Sequence, residues 1–179
     1  MEGPTDSGLC AVIDKVFVLV YNVDKFSLQR TKMKLSTKGR YGVRALLDVA
    51  LNCESGPVPL KDIAKRQGIS AQYLEHLVSP LIKAGVVRSI RGARGGITLA
   101  KSPEEIRLSQ VIEILEGSVA PVECVDDPRI CSRSSFCVTR DVWEELKRAM
   151  VGVLDSVTLK DLVERHKERG QPKSGVYSI

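Results

Sequence analysis

The chain has 179 residues, of which 43% are hydrophobic and only 4% are aromatic. This length allows one ordinary domain with an appendage, or two small domains, and the hydrophobic content is sufficient for a packed core. The low aromatic content argues against a nucleic-acid surface built on stacked rings. No stretch of the sequence is long and apolar enough to span a bilayer.

Basic charge is concentrated in the middle of the chain. Residues 34–101 contain 12 Lys and Arg against 4 Asp and Glu, whereas residues 102–179 contain 11 against 14. The first 33 residues are balanced at 4 and 4, so the middle segment accounts for the overall net charge of +5. Such a segment is expected to meet a polyanion, although a solvated basic surface would have the same composition.

The sequence contains an odd number of cysteines, namely Cys10, Cys53, Cys124, Cys131 and Cys137. The apolar stretch at residues 11–23 is interrupted by Asp14 and Lys15, and no small-residue cleavage site follows it. These features are atypical of a secreted disulfide scaffold and predict a cytoplasmic protein. We interpret residues 1–32 as a disordered or non-native N-terminal extension, whose deletion should leave the function of the remaining chain intact.

The basic segment has the pattern of a helix-turn-helix. A first helix is predicted from Ser36 or Thr37, which are good N-caps, and a second from Leu60 to Gln67. Gly68 ends the second helix, and a third is predicted from about residue 71 to residue 84. The predicted buried stripe of the first helix consists of Val43, Leu46, Leu47, Ala50 and Leu51.

A β-hairpin is predicted to follow, with strands at residues 86–90 and 97–99. The loop between them contains three glycines and two arginines, including Arg91, Gly92 and Arg94. Such a loop lets the backbone approach phosphates closely while the guanidinium groups bind them, although an ordinary tight hairpin would need similar glycines. We therefore predict a mainly α-helical fold with a small β-hairpin wing, forming a winged helix-turn-helix DNA-binding domain at residues 33–101.

The N-terminal half of the third helix is expected to face the major groove. The residues there that lie off its apolar stripe are Ser70, Gln72, Tyr73, Glu75 and His76. Gln72 suits adenine and Glu75 can accept a hydrogen bond from a cytosine amino group, although a solvated carboxylate is an alternative for Glu75. Lys38 and Arg40 lie off the stripe of the first helix and complete the predicted DNA-binding set.

Residues 102–138 are predicted to form a connecting helix and a turn-rich cysteine loop. Cys124, Cys131 and Cys137 are separated by six and five residues, so the three thiols could converge on one soft metal centre. Zinc would need a fourth ligand, and one disulfide would leave a thiol over. The spacing alone leaves an iron–sulfur cluster, a zinc site and a thiol switch open.

A long helix is predicted from about Thr139 to Val157. Its apolar residues are separated alternately by three and four positions, as in a coiled-coil seam: Trp143, Leu146, Met150, Val153 and Val157. We interpret it as a dimerisation helix, with packing onto its own domain as the alternative. Thr158 and Asp161 should cap a short last helix within residues 139–166, followed by a flexible tail at residues 167–179.

Several segments together resemble the Rrf2 family of winged-helix transcriptional regulators across residues 33–165. They are residues 33–52, 69–75 and 87–96, and the Leu-Glu-Gly at 115–117 followed by the three cysteines. These segments are similar to the family's iron–sulfur cluster regulators, whereas residues 77–81 and 154–159 are also similar to its cysteine-metabolism repressors. The resemblance implies a homodimer on pseudo-palindromic operators, with contacts from Ser70, Gln72, Tyr73, Glu75 and Arg91.

The same resemblance implies an iron–sulfur cluster ligated by Cys124, Cys131 and Cys137, with 2Fe-2S favoured over 4Fe-4S. The iron–sulfur branch of the family has a histidine three residues after its third cysteine, where this chain has Arg140. The predicted function is a repressor, not an enzyme, that senses iron–sulfur or redox status. The alternative is a repressor of cysteine and sulfur metabolism acting through a protein partner such as cysteine synthase.

Overall fold

The computed structural model describes residues 35–92 and 94–170. The predictions for residues 1–32, including Cys10, and for the chain beyond residue 170 lie outside these ranges. Within them, no helix combines the length and the apolar character needed to cross a membrane.

The described residues form helices and one two-stranded antiparallel hairpin. In chain order the elements are α1 (Thr37–Asn52), α2 (Leu60–Gln67), α3 (Ala71–Lys83), β1 (Val87–Ile90), β2 (Gly96–Leu99), α4 (Leu108–Glu116), α5 (Val138–Asp155) and α6 (Leu159–Arg169). The predicted fold class, mainly helical with a small β-hairpin, is therefore confirmed.

Local capping residues set the limits of the helix-turn-helix. Ser36 caps α1 by accepting a hydrogen bond from the Lys38 backbone N–H at 3.0 Å. Gly68 ends α2 in the left-handed conformation, with φ of 66°. Ser70 then caps α3, and its hydroxyl accepts from the Tyr73 N–H at 3.1 Å. These limits agree with the predicted ones to within one residue.

The buried face of α1 differs from the predicted stripe. The buried residues of this helix are Gly39, Gly42, Ala45, Leu46, Asp48 and Val49, whereas Val43, Leu47, Ala50 and Leu51 are only half-buried. The reason is the packing of α4, since a Cβ atom at Gly42 would overlap Leu115 Cδ1. A pattern that counts large apolar residues cannot detect a contact that depends on missing side chains.

One hydrophobic core joins the hairpin to helices from both ends of the described chain. Ile63 of α2, Leu74 of α3 and Leu159 of α6 are 0% exposed, and Ile97 of β2 and Val111 of α4 are buried against them. The last helix therefore belongs to the same core as the DNA-binding segment, although it follows α5 in sequence.

A buried carboxylate ties α1 to α2. Asp48 is 5% exposed and accepts hydrogen bonds from Arg66 Nη2 at 2.6 Å and from Arg66 Nε at 2.9 Å. Gln67 Nε2 donates to the same carboxylate at 2.8 Å. The hydrogen bonds and charge of Asp48 raise the pKa of Arg66, and its partners offset the cost of burying the carboxylate.

The hairpin is anchored to the segment before α2. Val87 lies opposite Leu99 and Ile90 lies opposite Gly96 in the antiparallel register. Val58 extends the hairpin by exchanging two backbone hydrogen bonds with Ile97, at 2.8 and 2.9 Å. The wing is therefore held against the start of the helix-turn-helix.

Two predictions near the C-terminal end of the described chain need correction. The long helix ends at Asp155, so Val157 is outside it; the Val157 carbonyl accepts from the Leu108 N–H at 3.0 Å instead. Residues 167–169, predicted to begin a flexible tail, belong to α6, where basic residues in the last turn suit the helix dipole. The capping box of Thr158 and Asp161 at the start of α6 is confirmed.

Candidate nucleic-acid interface and cysteine loop

The N-terminal half of α3 has one exposed polar face and one buried apolar face. Ser70, Gln72 and Glu75 are exposed, whereas Leu74 and Leu77 on the other side of the helix are buried. The buried side fixes the helix rotation, so the three polar side chains point away from the core. A helix presented in this way has the surface needed for contact with base edges.

Tyr73 connects α3 to α1. It is half-buried, its hydroxyl donates to Thr37 Oγ1 at 3.2 Å, and its ring packs edge-on against Tyr41 with centroids 6.2 Å apart. The guanidinium groups of Arg40 and Arg44 lie 5.0 and 5.3 Å from the centroid of the Tyr41 ring. This arrangement makes Tyr73 a link between the two helices, and Arg40 lies over the Tyr41 ring that Tyr73 contacts.

The arginines of the wing lie at its tip. Arg91 and Arg94 are exposed, and Gly92 between them has a φ of 119°, a conformation that other residues rarely adopt. A Cβ atom at Gly95 would overlap the Ile90 carbonyl. The glycines therefore allow a turn tight enough to project both arginines from the end of the hairpin.

The predicted basic contacts have no acidic partners among the residues that the structure describes. Ion pairs there involve other basic residues, including Arg66, Arg107, Arg129, Arg140, Lys147 and Lys160. Lys38, Arg40, Arg91 and Arg94 are all exposed and form none of these pairs. Within the described residues, no acidic side chain neutralises their charge, as contact with a polyanion would require.

Residues 117–137, here called the cysteine loop, join α4 to α5 through three short 3-10 turns. Cys124 lies in the first turn, Cys131 directly follows the second, and Cys137 is the N-cap residue of α5. All three are half-buried free thiols. Cys53, just after α1, is also a half-buried free thiol and packs against the core.

Arg140 fastens the cysteine loop to α5. Its Nε donates to the Cys124 carbonyl at 2.9 Å, and its Nη2 pairs with Glu144 Oε1 at 2.6 Å. Lys147, also on α5, pairs with Asp126 Oδ1 at 2.6 Å. These contacts show that Arg140 positions the loop backbone, a role different from that of a metal ligand.

The environment of Cys137 favours the thiolate. Thr139 Oγ1 lies 3.1 Å from Cys137 Sγ, and this hydroxyl, with the backbone N–H groups of Arg140 and Thr139, lowers the pKa of the thiol. Hydrogen bonds from Lys147 and Ser118 lower the pKa of Asp126. Asp126 is therefore engaged as a charged partner of Lys147.

The thiols of the cysteine loop are the kind of ligand that binds soft metals, but in the structure they do not converge on one site. Within residues 35–92 and 94–170, no three His, Cys, Asp or Glu side chains converge closely enough to hold a metal ion. Asp127, which could be considered as a further ligand, pairs with Arg129 at 2.8 Å. The described loop thus offers three thiols, one of them with a lowered pKa, and no preformed fourth ligand.

The contacts of two residues in this region, Tyr41 and Glu116, were not predicted from the sequence. Tyr41 could have been noticed from the arginines one residue before it and three residues after it on α1. Glu116 accepts hydrogen bonds from Ser36 Oγ at 2.6 Å and from the Gly39 N–H at 2.7 Å. No local pattern signals these contacts, because Ser36 and Gly39 lie 80 and 77 residues before Glu116 in the chain.

A model of the Rrf2 family, described as an iron-dependent transcriptional regulator, matches residues 35–165. Protein rrf2 of Nitratidesulfovibrio vulgaris is 47% identical over 131 residues, which cover 73% of this chain and 87% of that protein. The family match over residues 35–165 includes the helix-turn-helix, the wing, the cysteine loop and α5.

Solved structures of regulators have the same fold. IscR of T. potens is 43% identical with a TM-score of 0.65, and the match covers 81% of this chain and 96% of that one. CymR, the global cysteine regulator of B. subtilis, is 42% identical with a TM-score of 0.62, covering 74% and 98%. From the family match and these similarities, the chain belongs to the Rrf2 family of transcriptional regulators.

Proposed function

We propose that this regulator binds a pseudo-palindromic operator as a homodimer, with α3 in the major groove and the wing against the flanking DNA. The observation that carries the proposal is the shared exposure of Gln72 and Glu75 on α3 and of Arg91 and Arg94 on the wing. Base-reading and phosphate-binding groups are thus available on the two elements that a winged helix uses.

The proposed contacts divide into two kinds. Ser70, Gln72 and Glu75 read base edges, because hydroxyl, amide and carboxylate groups match donors and acceptors in the major groove. Lys38, Arg40, Arg91, Gly92 and Arg94 contact the sugar-phosphate backbone, and an arginine of the wing can enter a narrow minor groove. Tyr73 contributes to the first kind mainly by holding α3 against Thr37.

We further propose that the protein is a repressor that senses iron–sulfur or redox status through the cysteine loop. Cys124, Cys131 and Cys137 would hold an iron–sulfur cluster as thiolates, with 2Fe-2S favoured over 4Fe-4S. When bound, such a cluster would supply redox chemistry and sensitivity to oxidants. The support is the iron-dependent family description, the IscR similarity and the three accessible thiols on one loop.

An anaerobic operator titration tests both parts of this proposal. Protein carrying a reconstituted cluster and metal-free protein are compared on operator DNA and on scrambled DNA, with bound iron and sulfide quantified. We expect the operator affinities of the cluster-loaded and metal-free forms to differ by about 5-fold or more. Replacing the three cysteines by alanine should preserve folding and remove that difference. Equal affinities for the two forms of the wild-type protein would reject iron–sulfur sensing but leave DNA binding intact.

A second candidate is a repressor of cysteine and sulfur metabolism that acts through a protein partner such as cysteine synthase. It is favoured by the similarity to CymR and by Arg140, which is used for loop anchoring and leaves the fourth ligand unassigned. A pull-down with purified cysteine synthase tests it. Specific capture of this protein, together with a colourless metal-free preparation, would favour this alternative. We propose no enzymatic activity for either case.

A further inference from the structure

Glu116 is placed between the cysteine loop and the first helix of the DNA-binding segment. It is the last residue of α4, and the cysteine loop begins at the next residue, Gly117. Its Oε1 atom accepts hydrogen bonds from both Ser36 Oγ and the Gly39 N–H. One carboxylate oxygen therefore connects the start of the loop to the start of α1.

The first turn of α1 depends on this distant carboxylate. The turn contains no acidic residue of its own, and Ser36 uses its side chain and its carbonyl for the N–H groups of Lys38 and Arg40. Glu116 accepts from the Gly39 N–H and places a negative charge at the positive end of the helix dipole. Hydrogen bonds to an ionised acceptor of this kind are stronger than neutral ones.

The contact between Glu116 and the first turn of α1 is possible because residue 39 is a glycine, Gly39. A Cβ atom there would lie 2.7 Å from Glu116 Oε1 and 3.0 Å from Ile112 Cδ1. Glycine is otherwise unfavourable inside a helix, so its presence here is explained by the close approach of α4. Substituting this residue would displace the Glu116 carboxylate without removing it.

The first turn of α1 is in turn connected to the predicted DNA-reading surface. It carries Lys38, and Arg40 follows it. Thr37 accepts the hydrogen bond from Tyr73, whose backbone N–H is bound by the Ser70 cap of α3. A displacement at Glu116 therefore reaches both the basic residues of α1 and the start of α3 through direct contacts.

We propose that Glu116 is a positioning residue for operator recognition, which connects the state of the cysteine loop to the first turn of α1 and, through Thr37 and Tyr73, to α3. This inference rests on the proposed function of the loop and extends it by naming the contact through which the loop acts. An alternative in which Glu116 is only a helix cap would alter stability and would affect all DNA sequences alike.

The first test uses full-length, metal-free protein and compares Glu116→Ala with Glu116→Gln. We expect Glu116→Ala to weaken operator binding by about 5-fold or more, with binding to scrambled DNA changed by less than about twofold. Glu116→Gln retains the Oε1 acceptor and should recover most of the operator affinity. Glu113→Ala is the matched control, because Glu113 is an exposed acid on the same helix. If Glu116→Ala weakens binding to operator and to scrambled DNA equally, Glu116 acts only as a helix cap and the proposal is wrong.

Gly39→Ala is the second test variant, and it keeps the proposal testable if Glu116→Ala fails to fold. Alanine raises intrinsic helix propensity, so a loss of operator preference would come from displacement of neighbouring side chains, of which Glu116 Oε1 is the nearest, and not from a weaker α1. Melting temperatures of all variants are measured in parallel. If Gly39→Ala folds and keeps the wild-type preference for operator over scrambled DNA, the proposal is wrong.

The connection to the loop is tested by loading the variants with an iron–sulfur cluster. If the wild-type protein shows a difference between its loaded and metal-free forms, Glu116→Ala should abolish that difference and Glu113→Ala should retain it. A difference that persists in Glu116→Ala would overturn the connection to the loop and leave the proposed sensing function standing. If the loaded and metal-free forms of the wild-type protein bind the operator equally, both the sensing function and the connection from the loop to α1 are wrong. The comparison of metal-free Glu116→Ala with metal-free Glu116→Gln then still tests whether Glu116 is a positioning residue.

Discussion

Asp48 is a charged side chain buried in the core of the described residues, and its partners determine what its removal would cost. Asp48→Ala leaves the Arg66 guanidinium and the Gln67 amide without their acceptor. Because Arg66 is 42% exposed and can regain water, we expect destabilisation of about 2 kcal/mol, below the loss typical of fully buried pairs. Urea unfolding measures this change.

The control for Asp48 is an acidic residue outside the network. Glu54→Ala removes a charge of the same sign from an exposed position after α1, so it should leave the free energy of unfolding within about 0.5 kcal/mol of the wild-type value. If Asp48→Ala behaved like Glu54→Ala, the ion pair with Arg66 would have no role in joining α1 to α2.

The attachment of the wing to the segment before α2 depends on a close backbone approach at Gly96. A Cβ atom at this position would overlap the Val58 carbonyl and lie 2.8 Å from Pro59 N. Gly96→Ala should therefore separate the hairpin from Val58 and destabilise the protein by about 1–3 kcal/mol. Thermal unfolding measures the loss, and operator affinity should fall with it because the wing arginines lose their anchor.

Gly92→Ala provides the comparison within the same hairpin. Its φ of 119° makes alanine strained there, but no atom lies within 4 Å of the position of a new Cβ. The expected loss is about 1 kcal/mol of backbone strain without displacement of Val58. A larger effect at Gly92 than at Gly96 would contradict the proposed anchoring.

The described residues provide α5 with only an incomplete packing partner. None of its residues is buried, and Val153 of the predicted seam is 67% exposed. Because Val153 contributes little to its own protomer, Val153→Asp should leave the fold intact while disrupting a dimer. We expect a monomer by analytical ultracentrifugation and operator binding weakened by about 100-fold through the loss of bivalent contact.

Arg148→Ala is the matched control for the dimer. It changes the net charge by the same amount, and Arg148 lies on the opposite side of α5 by the 3.6-residue repeat. This variant should remain a dimer. A dimeric Val153→Asp protein would show that the predicted seam is not the interface.

Much of the fold could be predicted because its signals are local. Ser36, Gly68 and Ser70 act within one turn of their own helices, so the limits of α1, α2 and α3 follow from neighbouring residues. The end of α5 was predicted two residues late, because the apolar repeat continues to Val157 although that residue packs onto the start of α4.

The candidate DNA-binding residues could be proposed from the sequence, but the contacts that hold them could not. Gln72 and Glu75 lie off an apolar stripe that is visible in the sequence, and the structure places both on the exposed side of α3. The bond from Tyr73 to Thr37 joins residues 36 positions apart, and no helical period reveals it. Likewise, the three cysteines are visible as a set, whereas their separation in the described loop is a tertiary property.

Periodicity, capping and charge are local properties, so the winged helix-turn-helix, the basic middle segment and the three thiols of the cysteine loop could be predicted from the sequence alone. The folded structure was needed to show which face of α1 is buried, that Arg140 anchors the loop, and that Glu116 caps α1 from the end of α4. These contacts depend on close approach between distant segments. At Gly39 and Gly42 that approach is made possible by the absence of side chains.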